Sequence, residues 1–140
     1  MKKFIAGVDE VGRGSLVGPV FAATVVFKSK IDKKKIKDSK KISKKKRNIL
    51  EKYIKTNSIW SIGSASLKEI EKLNILNASL LAMKRSIKKL RIKPSIILID
   101  GNKLPDINGY NLKSIIKGDQ KISEISAASI IAKVARDRLI

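Results

Sequence analysis

Residues 4–27 read FIAGVDEVGRGSLVGPVFAATVVF, two β-branched apolar runs joined by a glycine-rich connection. The runs FIAGV (4–8) and VFAATVVF (20–27) show no polar alternation, so they predict two buried strands of one sheet. Asp9 and Glu10 close the first strand.

Both faces of such a sheet need cover, and the remaining sequence supplies helices. Lys28 to Arg47 reads as a lysine-rich connection, with Ser43 as N-cap of a helix reaching about Lys55. That helix carries Ile49, Leu50, Tyr53 and Ile54 on one face. Ile59 to Ala65 fits a third strand, and Ser66 with Glu69 fits a capping box. From Asn74 to Leu90, the residues Leu76, Leu80, Met83, Ile87 and Leu90 recur at helical spacing and predict a core-facing stripe. Pro94 ends that helix, and Ser95–Ile99 predicts a buried strand running into Asp100. A last helix is expected over Glu124–Arg138, with Ala127, Ala128 and Ala132 suited to close packing. Trp60 reads as core, and Glu51, Glu69, Glu71 and Asp137 read as solvated helix faces. The alternation of strands and helices predicts one α/β domain spanning residues 1–140.

Composition narrows the chemistry. The chain has 140 residues and no cysteine or histidine, which excludes disulfides, thiol nucleophiles, Cys/His zinc sites and a Ser-His-Asp triad. A hydrolase built from this sequence must work with carboxylates, directly or through hard, oxygen-preferring cations. No apolar stretch approaches the roughly 20 residues of a membrane span. The net charge of +20 is uneven: residues 28–57 carry fourteen basic against three acidic side chains, a net +11. A basic block of this kind suits a polyanion. The excess of lysine over arginine in an isoleucine-rich chain also fits drift in base composition.

Asp9, Glu10 and Asp100 each stand where a buried strand ends, the edge at which α/β sheets gather functional groups. Asp119 precedes the last helix. Carboxylates brought together in the fold can hold two cations roughly 3.5–4 Å apart, which suits phosphodiester hydrolysis. Aspartate also favours strand ends as a turn former, so these positions alone leave both readings open. Neighbours on a regular strand point to opposite faces, so Glu10 shares a cation with Asp9 only where the strand bulges.

Five segments in order decide between them. Asp9-Glu10-Val11-Gly12-Arg13-Gly14-Ser15-Leu16-Val17-Gly18-Pro19-Val20 is followed by Asp38-Ser39-Lys40-Lys41-Ile42-Ser43 and Asn74-Ile75-Leu76. Leu98-Ile99-Asp100-Gly101-Asn102 comes next, and Lys117-Gly118-Asp119 leads into Ile125-Ser126-Ala127-Ala128-Ser129-Ile130-Ile131-Ala132-Lys133 and Arg136-Asp137. This series resembles ribonuclease HII, the type 2 ribonuclease H.

The resemblance implies a ribonuclease H-like mixed sheet flanked by helices. It also implies endonucleolytic hydrolysis of the RNA strand of RNA–DNA hybrids and of ribonucleotides embedded in duplex DNA. Asp9, Glu10, Asp100 and Asp119 match the family's catalytic carboxylates, the first three as ligands of Mg²⁺ or Mn²⁺. Gly12, Arg13 and Gly14 match the motif that reads the 2′-hydroxyl, and Lys40 and Lys41 match phosphate contacts. A cytoplasmic monomer without membrane attachment is expected. The chain ends in Ala-Arg-Asp-Arg-Leu-Ile without a helix-terminating signal, which predicts that the family's C-terminal part is missing. Neither Tyr53 nor Tyr110 stands where the family places its junction-sensing tyrosine. A non-catalytic hybrid-binding protein is the competing expectation.

Overall fold

A computed structural model describes residues 3–12, 18–28, 30–37 and 43–139. Its centre is a five-stranded mixed sheet ordered β3-β2-β1-β4-β5. The strands are β1 (Ile5–Val11), β2 (Val20–Phe27), β3 (Ser58–Ala65), β4 (Ile96–Asp100) and β5 (Leu112–Ile115). β1, β2 and β3 pair antiparallel in chain order, whereas β4 joins β1 and β5 joins β4 in parallel. Six helices complete the described fold: α1 (Lys33–Lys37), α2 (Lys44–Thr56), α3 (Leu67–Leu73), α4 (Ile75–Lys89), α5 (Gly118–Lys121) and α6 (Ser123–Leu139).

Strand alternation divides the core in two. Ala6 and Val8 of β1, Val20, Ala22 and Val26 of β2, and Ile97 and Ile99 of β4 face α4. Ala23 and Val25 face the opposite layer, built from Ile36, Leu50 and Ile54 with Ala127, Ala128, Ile131 and Val134 of α6. Continuous apolar runs in β1 and β2 are therefore required, because both faces are covered. On the α6 face the contact is close enough to exclude a side chain. A Cβ on Gly7 would lie 2.2 Å from the Glu124 carbonyl carbon and 2.3 Å from the Ile125 nitrogen.

The predicted strands and long helices are present, as are the Ser43 cap and the Ser66–Glu69 capping box. Other expectations are corrected. The lysine-rich connection contains α1, held by one fully buried residue, Ile36, and capped by Asp32 Oδ1 accepting from Lys34 and Lys35. The short strand β5 and helix α5 were not expected. Trp60 is 38% exposed rather than core, with the Lys55 ammonium 4.2 Å from its ring centre. Glu51 is buried instead of solvated, because Arg138 from the far end of the sequence grips both its oxygens at 2.8 Å. The stripe on α4 is split. Met83, Ile87 and Leu90 are buried and Leu80 packs half-buried against the same core, whereas Leu76 lies outside it; Leu76, Leu80 and Met83 line a surface pocket. The face that meets the sheet also uses Ala78, Ser79, Ala82 and Ser86, small residues that let the helix approach.

Glu69 binds Arg85 at 2.6 and 2.7 Å, tying α3 to α4. The guanidinium hydrogen bonds, then the Ser66 backbone, lower the Glu69 carboxyl from 4.5 to about 2. A lowered carboxyl contributes stability above its ordinary pKa and loses it as pH falls toward the native value. Arg85→Ala should therefore be less stable than the parent at pH 7, and the gap should close between about 4.5 and about 2. Denaturant titrations across that range check this.

Candidate active site

The parallel register of β1 and β4 ends with Val8 opposite Ile99. Each strand then adds one carboxylate residue, Asp9 and Asp100. Since Val8 and Ile99 face α4, alternation turns both aspartates toward the α6 side, next to one another. Two residues 91 positions apart in sequence thus become neighbours through strand pairing alone.

Asp9 is only 5% exposed. Its Oδ1 accepts a hydrogen bond from the Glu10 backbone nitrogen at 2.8 Å. Burial pushes its carboxyl well above the usual carboxylate range, and the negative charge of Asp100 pushes it further; the Glu10 backbone hydrogen bond offsets part of this, while the Glu10 charge and a hydrogen bond to Asp100 add to the rise. Asp100 is positioned from the other side. Its Oδ1 accepts from the Asp119 backbone nitrogen at 3.3 Å, while the Asp119 carbonyl accepts the Ser126 hydroxyl of α6. Lys117 in the left-handed region, φ 55°, makes the turn that brings this N–H inward.

Glu10 occupies the opposite face. The β1–β2 pairing runs regularly through Glu10↔Ala22 and Val11↔Phe21, so no bulge redirects it. It lines a pocket of about 170 Å³ with Leu76, Leu80, Met83, Asp100, Gly101, Asn102 and Lys103. Asp100, at the sheet edge, therefore adjoins Asp9 on one side and the Glu10 pocket on the other. Among the described residues, no three carboxylates already stand together as a ligand set. The assembled part is the Asp9–Asp100 pair, with Glu10 and Asp119 beside it.

This pair fits a hard divalent cation. Its donors are all oxygen, one carboxyl is desolvated, and a second negative charge disfavours its ionised form. A cation relieves both penalties at once.

Gly12 follows directly on β1 at φ 113°, a conformation that L side chains rarely adopt. A Cβ there would meet Arg136 Nε at 3.0 Å and the Pro19 carbonyl oxygen at 3.1 Å. Arg13, Gly14, Lys40 and Lys41 lie outside the described residues. Ser126 and Arg136 were present in the quoted motifs but had no role assigned. A hydroxyl seven residues after Asp119, in the stretch Ile125–Ala132 where Ser126 and Ser129 alone are polar, was the available signal for Ser126.

A family model described as ribonuclease HII matches residues 6–140. The chain is 70% identical over 138 residues to ribonuclease HII of Pelagibacter ubique, covering 99% of this chain and 74% of that one. It is 50% identical over 133 residues to ribonuclease HII of Neisseria meningitidis serogroup B, covering 94% and 69%. Among solved structures, ribonuclease H2 from Pyrococcus horikoshii OT3 is similar with a TM-score of 0.82 and 29% identity, covering 96% of this chain and 72% of that one.

Proposed function

Because the chain belongs to the ribonuclease HII family, metal-dependent endoribonucleases that cut RNA in RNA–DNA hybrids, we propose that it hydrolyses the phosphodiester on the 5′ side of ribonucleotides, including single ones embedded in duplex DNA. The products would carry 3′-hydroxyl and 5′-phosphate ends. The observation that carries this reading is the register that sets Asp9 beside Asp100.

Asp9, Asp100 and Glu10 would hold Mg²⁺ or Mn²⁺, with Asp119 as the fourth carboxylate, assisting with a second ion or with product departure. Two such ions would supply Lewis-acid activation of water and neutralisation of the phosphate charge. The chain's own groups do the orienting. The Glu10 N–H fixes one oxygen of Asp9, and the Asp119 N–H fixes one oxygen of Asp100. Each carboxylate thereby presents its remaining oxygen in a defined direction. Gly12, with Arg13 and Gly14, would bring backbone amides to the 2′-hydroxyl, the group that separates RNA from DNA. Lys40 and Lys41 would contact phosphates. Among the described residues no helix is long and apolar enough to cross a membrane, and the working form proposed is a cytoplasmic monomer.

A DNA duplex with one ribonucleotide, incubated with the chain and Mn²⁺, tests the reading. Cleavage 5′ of the ribonucleotide, absent from the all-DNA control, is expected. Retention of the duplex without any cleavage would make the chain a hybrid-binding protein instead.

A further inference from the structure

The pocket at Glu10 and Asp100 is one of two that lie between the same pair of elements. Its walls are α4 and the segment 101–108, which leaves β4 immediately after Asp100. Leu76, Leu80 and Met83 of the helix meet Gly101, Asn102 and Lys103 at the carboxylate end. Further along, the same walls enclose a second pocket of about 230 Å³, lined by Lys84, Lys88, Asp106, Ile107 and Asn108. Leu76, Leu80, Lys84 and Lys88 are each four residues apart, so one face of α4 lines both pockets and changes from apolar to basic along its length. Two ammonium groups against one carboxylate leave the distal pocket positive.

We propose that this distal pocket binds the phosphodiester backbone of the same duplex whose ribonucleotide lies at Asp9 and Asp100, an inference that rests on the functional reading above. The spacing suits it. Lys88 stands eight residues beyond Leu80, about 12 Å at the helical rise of about 1.5 Å per residue. At about 3.4 Å per nucleotide along a duplex strand, that reach spans roughly four base pairs counted from the pocket that adjoins Asp100. Lysine meets phosphate as a point charge without reading sequence, so the contact would hold the duplex in register and leave specificity to the glycine turn.

The test compares the parent chain with Lys84→Glu/Lys88→Glu on duplexes extending about ten base pairs to each side of one ribonucleotide, and on duplexes shortened on one side at a time to about two, less than the reach above. The double variant should raise KM about tenfold on the long duplex with kcat unchanged, and flatten the salt dependence of binding by about two phosphates. Shortening one particular side should erase the difference between the two proteins. An equal KM effect on every duplex, or none on the long one, overturns the proposal. So does a site for small anions alone, seen as loss of stabilisation by inorganic phosphate in the double variant with KM unaltered. The same lengths are also compared by binding in an Asp100→Asn background. Length-dependent binding there supports the proposal even if no duplex is cut, and length-independent binding overturns it even if cleavage is normal.

Discussion

Asp9→Asn should abolish cleavage and at the same time make the metal-free protein more stable. Cleavage should fall by about three orders of magnitude or more, because a cation ligand contributing several kcal/mol to the transition state is lost. Binding of an RNA–DNA hybrid should persist, since the basic surface is untouched. The stability gain follows from the raised carboxyl of Asp9, caused first by burial and then by Asp100. A native state that holds the proton more tightly than the unfolded chain is favoured at low pH. It loses that advantage as pH rises above the ordinary carboxylate range. Asparagine keeps the shape of the protonated acid without titrating, so the gain should be present at pH 7 and absent in acid. Saturating Mg²⁺ should shrink or reverse it, because only the parent chain gains stability by binding the ion. Thermal melts with and without metal at two pH values read all of this. A variant as active as the parent at matched metal concentration would refute the ligand assignment.

Gly7→Ala should cost more stability than any other single methyl added to the sheet's α6 face. The new Cβ would fall 2.2 Å from one backbone atom of α6 and 2.3 Å from another, and backbone does not swing aside. The helix must move away from β1, opening a core of fully buried alanines, isoleucines and valine. A loss of about 3 kcal/mol is expected, the upper range for overpacking, lowering Tm by on the order of 10 °C. Activity should fall even in the fraction that remains folded, since Ser126 on the displaced helix holds Asp119, and Asp119 holds Asp100. Gly63→Ala is the control. Its Cβ would strike Ala82 and Ser86 of α4, each at 2.4 Å, so stability should drop comparably while the Asp119–Asp100 link is spared. Equal losses of activity per folded molecule in both variants would show that α6 has no special hold on the site.

Much of this arrangement was legible before any coordinates. Unbroken apolar runs at 4–8 and 20–27 require a sheet covered on both sides, and strict strand alternation already separates Asp9 from Glu10. The regular pairing through Val11 bears out that separation. The neighbourhood of Asp9 and Asp100 was indicated by their places at strand ends and by the motif resemblance. The parallel register that joins them is a long-range property no local pattern contains. Local patterns also failed where a single contact decides the outcome. α1 exists because Ile36 alone is buried among lysines, and β5 is a four-residue edge strand whose partner lies across the 101–111 segment. Glu51 looked solvated because its partner, Arg138, is 87 residues away. Leu76 and Leu80 fit a core stripe by spacing; Leu80 does pack against the core, half-buried, but Leu76 does not join it, and both line the pocket beside Asp100.

Crystals grown with Mn²⁺ and measured at the metal's absorption edge would test the central relation directly. An anomalous peak within about 2.5 Å of carboxylate oxygens from both Asp9 and Asp100 is the expected result. A peak bound to neither residue, or density placing the two carboxyl groups on opposite faces of the sheet, would contradict it.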